Sequence, residues 1–241
     1  MFPYGYGFGW GYYFDPTMIL LLIGVVICLA AQAKVQSAVN KYSNINTYRG
    51  MTGAEAALQI LQSQGIYDVT VEPHRGGMTD AAYVPSKKVV YLSNPLYHST
   101  SIAAIGIAAH ECGHAIQHHT EYMPLKFMNL LPITNFAAQI SWPLILIGVL
   151  FGGLGSPLVQ IGILMFSITV LYQLLLLPVE FNASSRAVAL LGDLGMATET
   201  EIDGTKKVLR AAAFTYVAAA ASMVLQLLRL VILFGGRNDR E

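Results

Sequence analysis

The sequence predicts a mainly α, multipass membrane protein with about four transmembrane helices and a small α+β part. Three observations carry this. Hydrophobic residues fill 54% of the 241 positions and charged residues only 12%, about half the roughly 25% usual in soluble domains. The apolar residues gather in four runs, at 17–33, 137–154, 157–177 and 211–234, each able to cross a bilayer. The polar residues between these runs carry their own helix and strand signals. Net charge is zero and no basic block is present, which argues against a nucleic-acid partner. Cys28 lies in an apolar run and Cys112 in a polar cluster, so no disulfide framework is expected.

Residues 1–16, MFPYGYGFGWGYYFDP, are rich in Gly and aromatics and suit an interfacial belt. The run 17–33, TMILLLIGVVICLAAQA, is uncharged. No basic segment precedes it, so it reads as an uncleaved anchor despite its terminal AQA. Residues 34–136 then change character. Thr52 and Glu55 form a T-x-x-E capping box ahead of AEAALQILQSQG, a helix ending at Gly65. VTVEP, TDAAYV and KKVVYLS read as short strands. KKVVYLS either forms a sheet edge on which an extended polypeptide can pair or is an ordinary structural strand. Ser101 to about His119 reads as a helix.

Residues 137–177 form a membrane hairpin, turned by the Gly-rich stretch 152–157. Residues 178–210 return to polar character, with a helix expected from Glu180 to Leu191. The run 211–234 is the fourth span, with Arg229 snorkelling or facing a partner helix. Residues 235–241 form a tail. Four spans place 34–136 and 178–210 on one side. That side holds most Lys and Arg residues, including Lys126, against only Arg237 and Arg240 opposite. The positive-inside rule makes it cytoplasmic, in the cell membrane.

The chemistry concentrates in AAHECGHAIQHH, residues 108–119. His110-Glu111-Cys112-Gly113-His114 matches H-E-x-x-H. On a helix, residues four apart share a face, so both imidazoles can hold one Zn2+. Glu111, one helical step away, can stand beside the ion as general base. An accidental match would leave several ionisable groups on an apolar helix, at a cost of several kcal/mol. Gly113 and Ala109 leave room near the ion. Cys112 is turned away by two helical steps.

A catalytic zinc needs a third protein ligand. His118 lies in line with the other two, a row that does not wrap a tetrahedral ion, and suits a helix end. His119, His98 and His74 remain open. Glu180 is better placed, opening a polar helix just after an apolar span, with Ser184 and Ala187 on its face. For a transition-state donor the residues offer Arg186, His98 and Tyr83.

HECGH and EFNAS, separated by a membrane hairpin, resemble the membrane zinc peptidases of the HtpX and CAAX-protease type. SIAAIGIAAHECGHAIQ, LPVEFNASSRA and the terminal span are more similar to the YugP-type neutral zinc membrane metallopeptidases of bacteria. The resemblance covers most of 17–236. It implies a zincin-like catalytic domain, His110, His114 and Glu180 as zinc ligands, and Glu111 as general base. The chain has Ser184 where the HtpX pattern has an aspartate that orients a ligand histidine.

The expected function is a membrane-embedded zinc metalloendopeptidase acting on membrane-associated polypeptides from the cytoplasmic side. Two other readings stand beside it. One is a site-2-type intramembrane protease with Asp193 as third ligand. The other is a non-catalytic, zinc-stabilised membrane adaptor, in which Glu111 would have no task.

Overall fold

The computed structural model describes residues 15–124, 131–153 and 155–235. The aromatic N-terminus up to residue 14, Lys126, and the tail with Arg237 and Arg240 lie outside these. Four described helices are long and apolar enough to cross a membrane. They are α1 (Met18–Ser43), α5 (Leu131–Gly152), α6 (Pro157–Asp193) and α7 (Glu199–Phe234). Between α1 and α5 lie α2 (Gly53–Ser63), β1 (Thr70–His74), β2 (Ala81–Val84), β3 (Val89–Ser93), α3 (Asn94–His98) and α4 (Ile102–His119).

Three of the apolar helices are longer than their apolar runs. α1 continues ten residues past Ala33, to Ser43. The expected span 157–177 and the expected helix from Glu180 are one 37-residue helix, α6, with Pro178 inside it. α7 begins at Glu199, not at 211, behind a capping box made by Thr198 and Glu201. A change from apolar to polar side chains is a change of solvent, not a helix stop signal, and no glycine cap interrupts either segment. At 1.5 Å per residue α6 is about 55 Å long, against a hydrocarbon core of about 30 Å. The polar end of α6 and the polar start of α7 pack on α4.

Close helix contacts and a few polar ties hold the long apolar helices together. α1 packs along α7, where a Cβ on Gly24 would come within 2.6 Å of Ser222 Oγ. The Arg229 guanidinium meets Asp15 Oδ2 at 3.2 Å, just before α1 begins. The cation is thus paired at the end of the bundle remote from the sheet. α5 and α6 form the expected hairpin, reversing at Gly153, whose φ is +75°.

The polar part is built around α4. Ser101 caps it by accepting from the Ala104 N–H at 3.2 Å. Thr52 and Glu55 form the expected reciprocal cap of α2. Small residues on α4, among them Ala104, Ala108, Ala109 and Ala115, let α2, β3 and α6 approach closely. Ile60, Leu61, Leu92, Leu96, Ile105 and Leu191 fill the space between them. Truncating a fully buried member such as Ile60 to Ala would cost about 2–5 kcal/mol.

The three strands fall where the sequence placed them, in the order β1-β3-β2. β3 is parallel to β1 and antiparallel to β2. The KKVVYLS strand is therefore central, not an edge. Val89, Val90, Leu92 and Ser93 in it are all buried, as a strand covered on both faces requires. The strand packed nearest α4 with a free edge is β2.

Candidate metal centre

The site forms where α4 crosses α6. A Cβ on Gly113 would lie 2.6 Å from the Ala183 carbonyl oxygen and 3.0 Å from its Cα. The glycine thus serves the helix crossing rather than making room beside an ion. Glu180, Ala183 and Ala187, at i, i+3 and i+7, are buried on the α6 face turned to α4.

The crossing brings His110, His114 and Glu180 together, with one donor atom from each lying within 4.8 Å of the others. Glu180 Oε2 is 3.3 Å from His110 Nε2 and 3.7 Å from His114 Nε2. It is buried and makes no hydrogen bond. Such an orphan costs several kcal/mol unless a cation satisfies it. The Nδ1 atoms are engaged elsewhere. His110 Nδ1 lies 3.1 Å from Ser184 Oγ, and His114 Nδ1 lies 3.0 Å from Gln117 Oε1. Both Nε2 atoms are left facing one carboxylate oxygen. Two imidazoles and a carboxylate are a donor set that suits zinc, and the residues present fit it. Burial alone would depress His114, but the Glu180 and Glu111 carboxylates outweigh this and hold it up at about 8.

Glu111 is buried beside this group. Its Oε2 accepts the Tyr83 backbone N–H of β2 at 2.8 Å. A cavity of about 280 Å³ opens over His110, Glu111, Glu180 and Ser184. Its other walls come from α1 at Gln32 and Val35, from Ala81 of β2, and from Tyr216 of α7.

The remaining residues singled out in the sequence lie away from the ligand group. The His118 ring nitrogen Nδ1 is 2.8 Å from the Tyr83 hydroxyl. His98 packs its ring against Tyr97. The His74 nitrogens face the Arg75 and Asp80 carbonyls. His119 is exposed at the end of α4, and Asp193 is exposed at the end of α6. Asp193 is thirteen residues beyond Glu180, about 20 Å along the helix axis. Cys112 is fully buried, contacts the Ala57 carbonyl, and has its thiol pushed far up by burial. It stays protonated and inert.

The three expected transition-state donors do not line the cavity. Arg186 donates Nε–H to Asn182 Oδ1 at 2.8 Å and lies over the Tyr122 ring. His98 and the Tyr83 hydroxyl are engaged as described. The hydroxyls that do line the cavity belong to Thr79, Ser184, Thr215 and Tyr216, and Tyr216 was not singled out in the sequence. It sits in the Ala-rich stretch AAAFTYVAAAA, where a tyrosine looks like ordinary span packing. Gln117 was also passed over, as one polar residue among histidines.

Comparison with known proteins shows what the chain is similar to. The family described as "Putative neutral zinc metallopeptidase" matches residues 17–235. The "Putative membrane protease YugP" of Bacillus subtilis (strain 168) is 47% identical over 211 residues, covering 87% of this chain and 92% of that protein. No solved structure matches the chain.

Proposed function

The chain belongs to this family of neutral zinc metallopeptidases, and from that premise we propose that it is a membrane-embedded zinc metalloendopeptidase with a zincin-like catalytic part. The observation that carries the reading is the convergence of two Nε2 atoms on an orphaned, buried Glu180 Oε2, with Glu111 alongside. His110, His114 and Glu180 would hold the zinc. Bound there, zinc supplies Lewis acidity that lowers the pKa of a water toward neutrality.

The protein groups do the rest. Glu111 takes the proton of the attacking water and passes it to the departing amine. Because Oε2 accepts from Tyr83 N–H, Oε1 is the atom that carries the proton. Tyr216, lining the same cavity, offers its O–H to the oxyanion that develops on the scissile carbonyl. The outer edge of β2 beside the cavity, apart from the Tyr83 N–H already given to Glu111, supplies main-chain groups for an extended polypeptide.

Substrates are polypeptides at or near the bilayer, because α1 and α7, helices long and apolar enough to cross a membrane, also wall the cavity. The basic residues at that end of the bundle support a cytoplasmic site in the cell membrane. Asp193, exposed about 20 Å along α6, has no access to this site, and a buried Glu111 beside the ligands has no task in a purely structural zinc centre. The test is purification with metal analysis and a peptide-cleavage assay. One zinc per chain and chelator-sensitive cleavage are expected. Zinc binding without cleavage of any membrane-associated polypeptide would favour an adaptor role.

A further inference from the structure

Gln117 is fully buried, yet every polar atom of its side chain has a partner. Its Nε2 donates to the Val179 carbonyl at 2.8 Å and to Asn182 Oδ1 at 3.0 Å. Its Oε1 lies 3.0 Å from His114 Nδ1. The orientation of this amide follows from chemistry. The Val179 carbonyl can only accept a hydrogen bond. Asn182 Oδ1 also accepts from Arg186 Nε at 2.8 Å, and a guanidinium can only donate. Two independent acceptors therefore require the NH2 end of Gln117 to face α6. The oxygen end must then face His114, so Nδ1 of that ring carries a proton, and in the neutral ring Nε2 is the nitrogen that keeps the lone pair.

We infer that Gln117 is a positioning residue that fixes the His114 tautomer with Nε2 toward the ligand group and ties this to the α6 turn bearing Glu180. The inference rests on the zinc-site reading given above. Val179 is the immediate neighbour of Glu180, so one side chain sets both the ring on α4 and the local placement of α6. Arg186 anchors the far end of the chain, running from Arg186 through Asn182 and Gln117 to His114. His110 is held differently. Ser184 Oγ can donate or accept, so its contact does not by itself select a tautomer. A histidine that ligates through one nitrogen is ordinarily oriented through the other, and losing that partner typically costs 10–100-fold in metal affinity.

Three variants and a spectrum test this. Full-length protein in detergent, labelled with 15N-histidine, reports the protonated nitrogen of each ring, with His114→Ala giving the assignment. The wild type is expected to show His114 protonated on Nδ1. Gln117→Leu removes all three hydrogen bonds. It should mix the two tautomers and weaken zinc binding about 10–100-fold in competition with a chromophoric chelator. Gln117→Glu keeps an acceptor for Nδ1–H while losing the amide donors to α6. It should retain the tautomer and bind zinc within a few-fold of wild type. If both variants lose zinc equally, Gln117 only cross-links the helices and the inference is overturned. A neutral His114 ring in the wild type whose single proton is on Nε2 overturns it whether or not the leucine variant folds. A wild type that binds no zinc, or a His114→Ala variant that binds it fully, overturns the metal-site reading instead.

Discussion

The Tyr83 backbone N–H donates to Glu111 Oε2 at 2.8 Å. The outer strand of the sheet thus holds the carboxylate that stands beside His110 and His114. A buried carboxylate needs such a partner, and a main-chain donor cannot swing away as a side chain can.

This contact makes Glu111→Gln a clean probe. The amide oxygen can still accept from Tyr83, so α4 and the ligand group keep their shape. What disappears is the ability to take a proton. Peptide cleavage should fall by at least about 10²–10⁴-fold, while zinc content measured by elemental analysis stays near that of wild type. Cleavage surviving at a comparable rate would sink Glu111 as the base.

Glu180 and Asp193 sit on one helix but in opposite settings, one buried against two imidazoles and the other exposed at the helix end. Glu180→Ala should lose most bound zinc, because two ligands alone leave the ion mostly hydrated. Asp193→Ala should keep it. Zinc lost only from the Asp193 variant would reverse the ligand assignment.

Much of this was legible in the sequence because the signals are local. The four apolar runs, the capping box at Thr52 and Glu55, and the four-residue spacing of His110 and His114 each need only a short window. Glu180 was legible by its position at the end of an apolar run. The helix continuity of α6 and α7 was not. Polarity changes along these helices while helical hydrogen bonding runs on. Sheet order was also hidden, since KKVVYLS and TDAAYV look alike until β1 takes the far side of β3. Tyr216 reaches the site, and Gln117 finds its α6 partners Val179 and Asn182, only through residues far away in the chain, and no local pattern marks such partners.

Gly113 and Gly192 offer a paired test of the crossing. At Gly113 a Cβ would meet Ala183 backbone at 2.6–3.0 Å, and backbone cannot rotate aside. Gly113→Ala should destabilise by about 1–3 kcal/mol and lower zinc affinity, because Ala183 lies between Glu180 and Ser184. At Gly192, in the last turn of α6, a Cβ meets nothing within 4 Å. Gly192→Ala should be neutral or stabilise by about 0.5–1 kcal/mol through helix propensity. Thermal unfolding of both variants decides it. A Gly113 variant as stable and as zinc-loaded as wild type would mean that α4 and α6 cross with more room than shown.

How charge divides between the two ends of the bundle predicts the side of the membrane on which the proposed site works. Lys34 and Lys41 lie on the extension of α1, Lys87 and Lys88 in the turn before β3, and Arg186, Lys206, Lys207 and Arg210 on the polar parts of α6 and α7. Among the described residues, Arg229 at the other end, beside Asp15, is a single basic residue against these eight. The K/R bias therefore favours retention of the sheet end in the cytoplasm. A single reporter cysteine at the exposed Lys87, with Cys28 and Cys112 replaced by Ser and Ala, reads this directly. In intact cells a membrane-impermeant maleimide should leave it unlabelled, and inverted membrane vesicles should expose it to full labelling. Labelling in intact cells would place the zinc site on the outer face and reverse the topology.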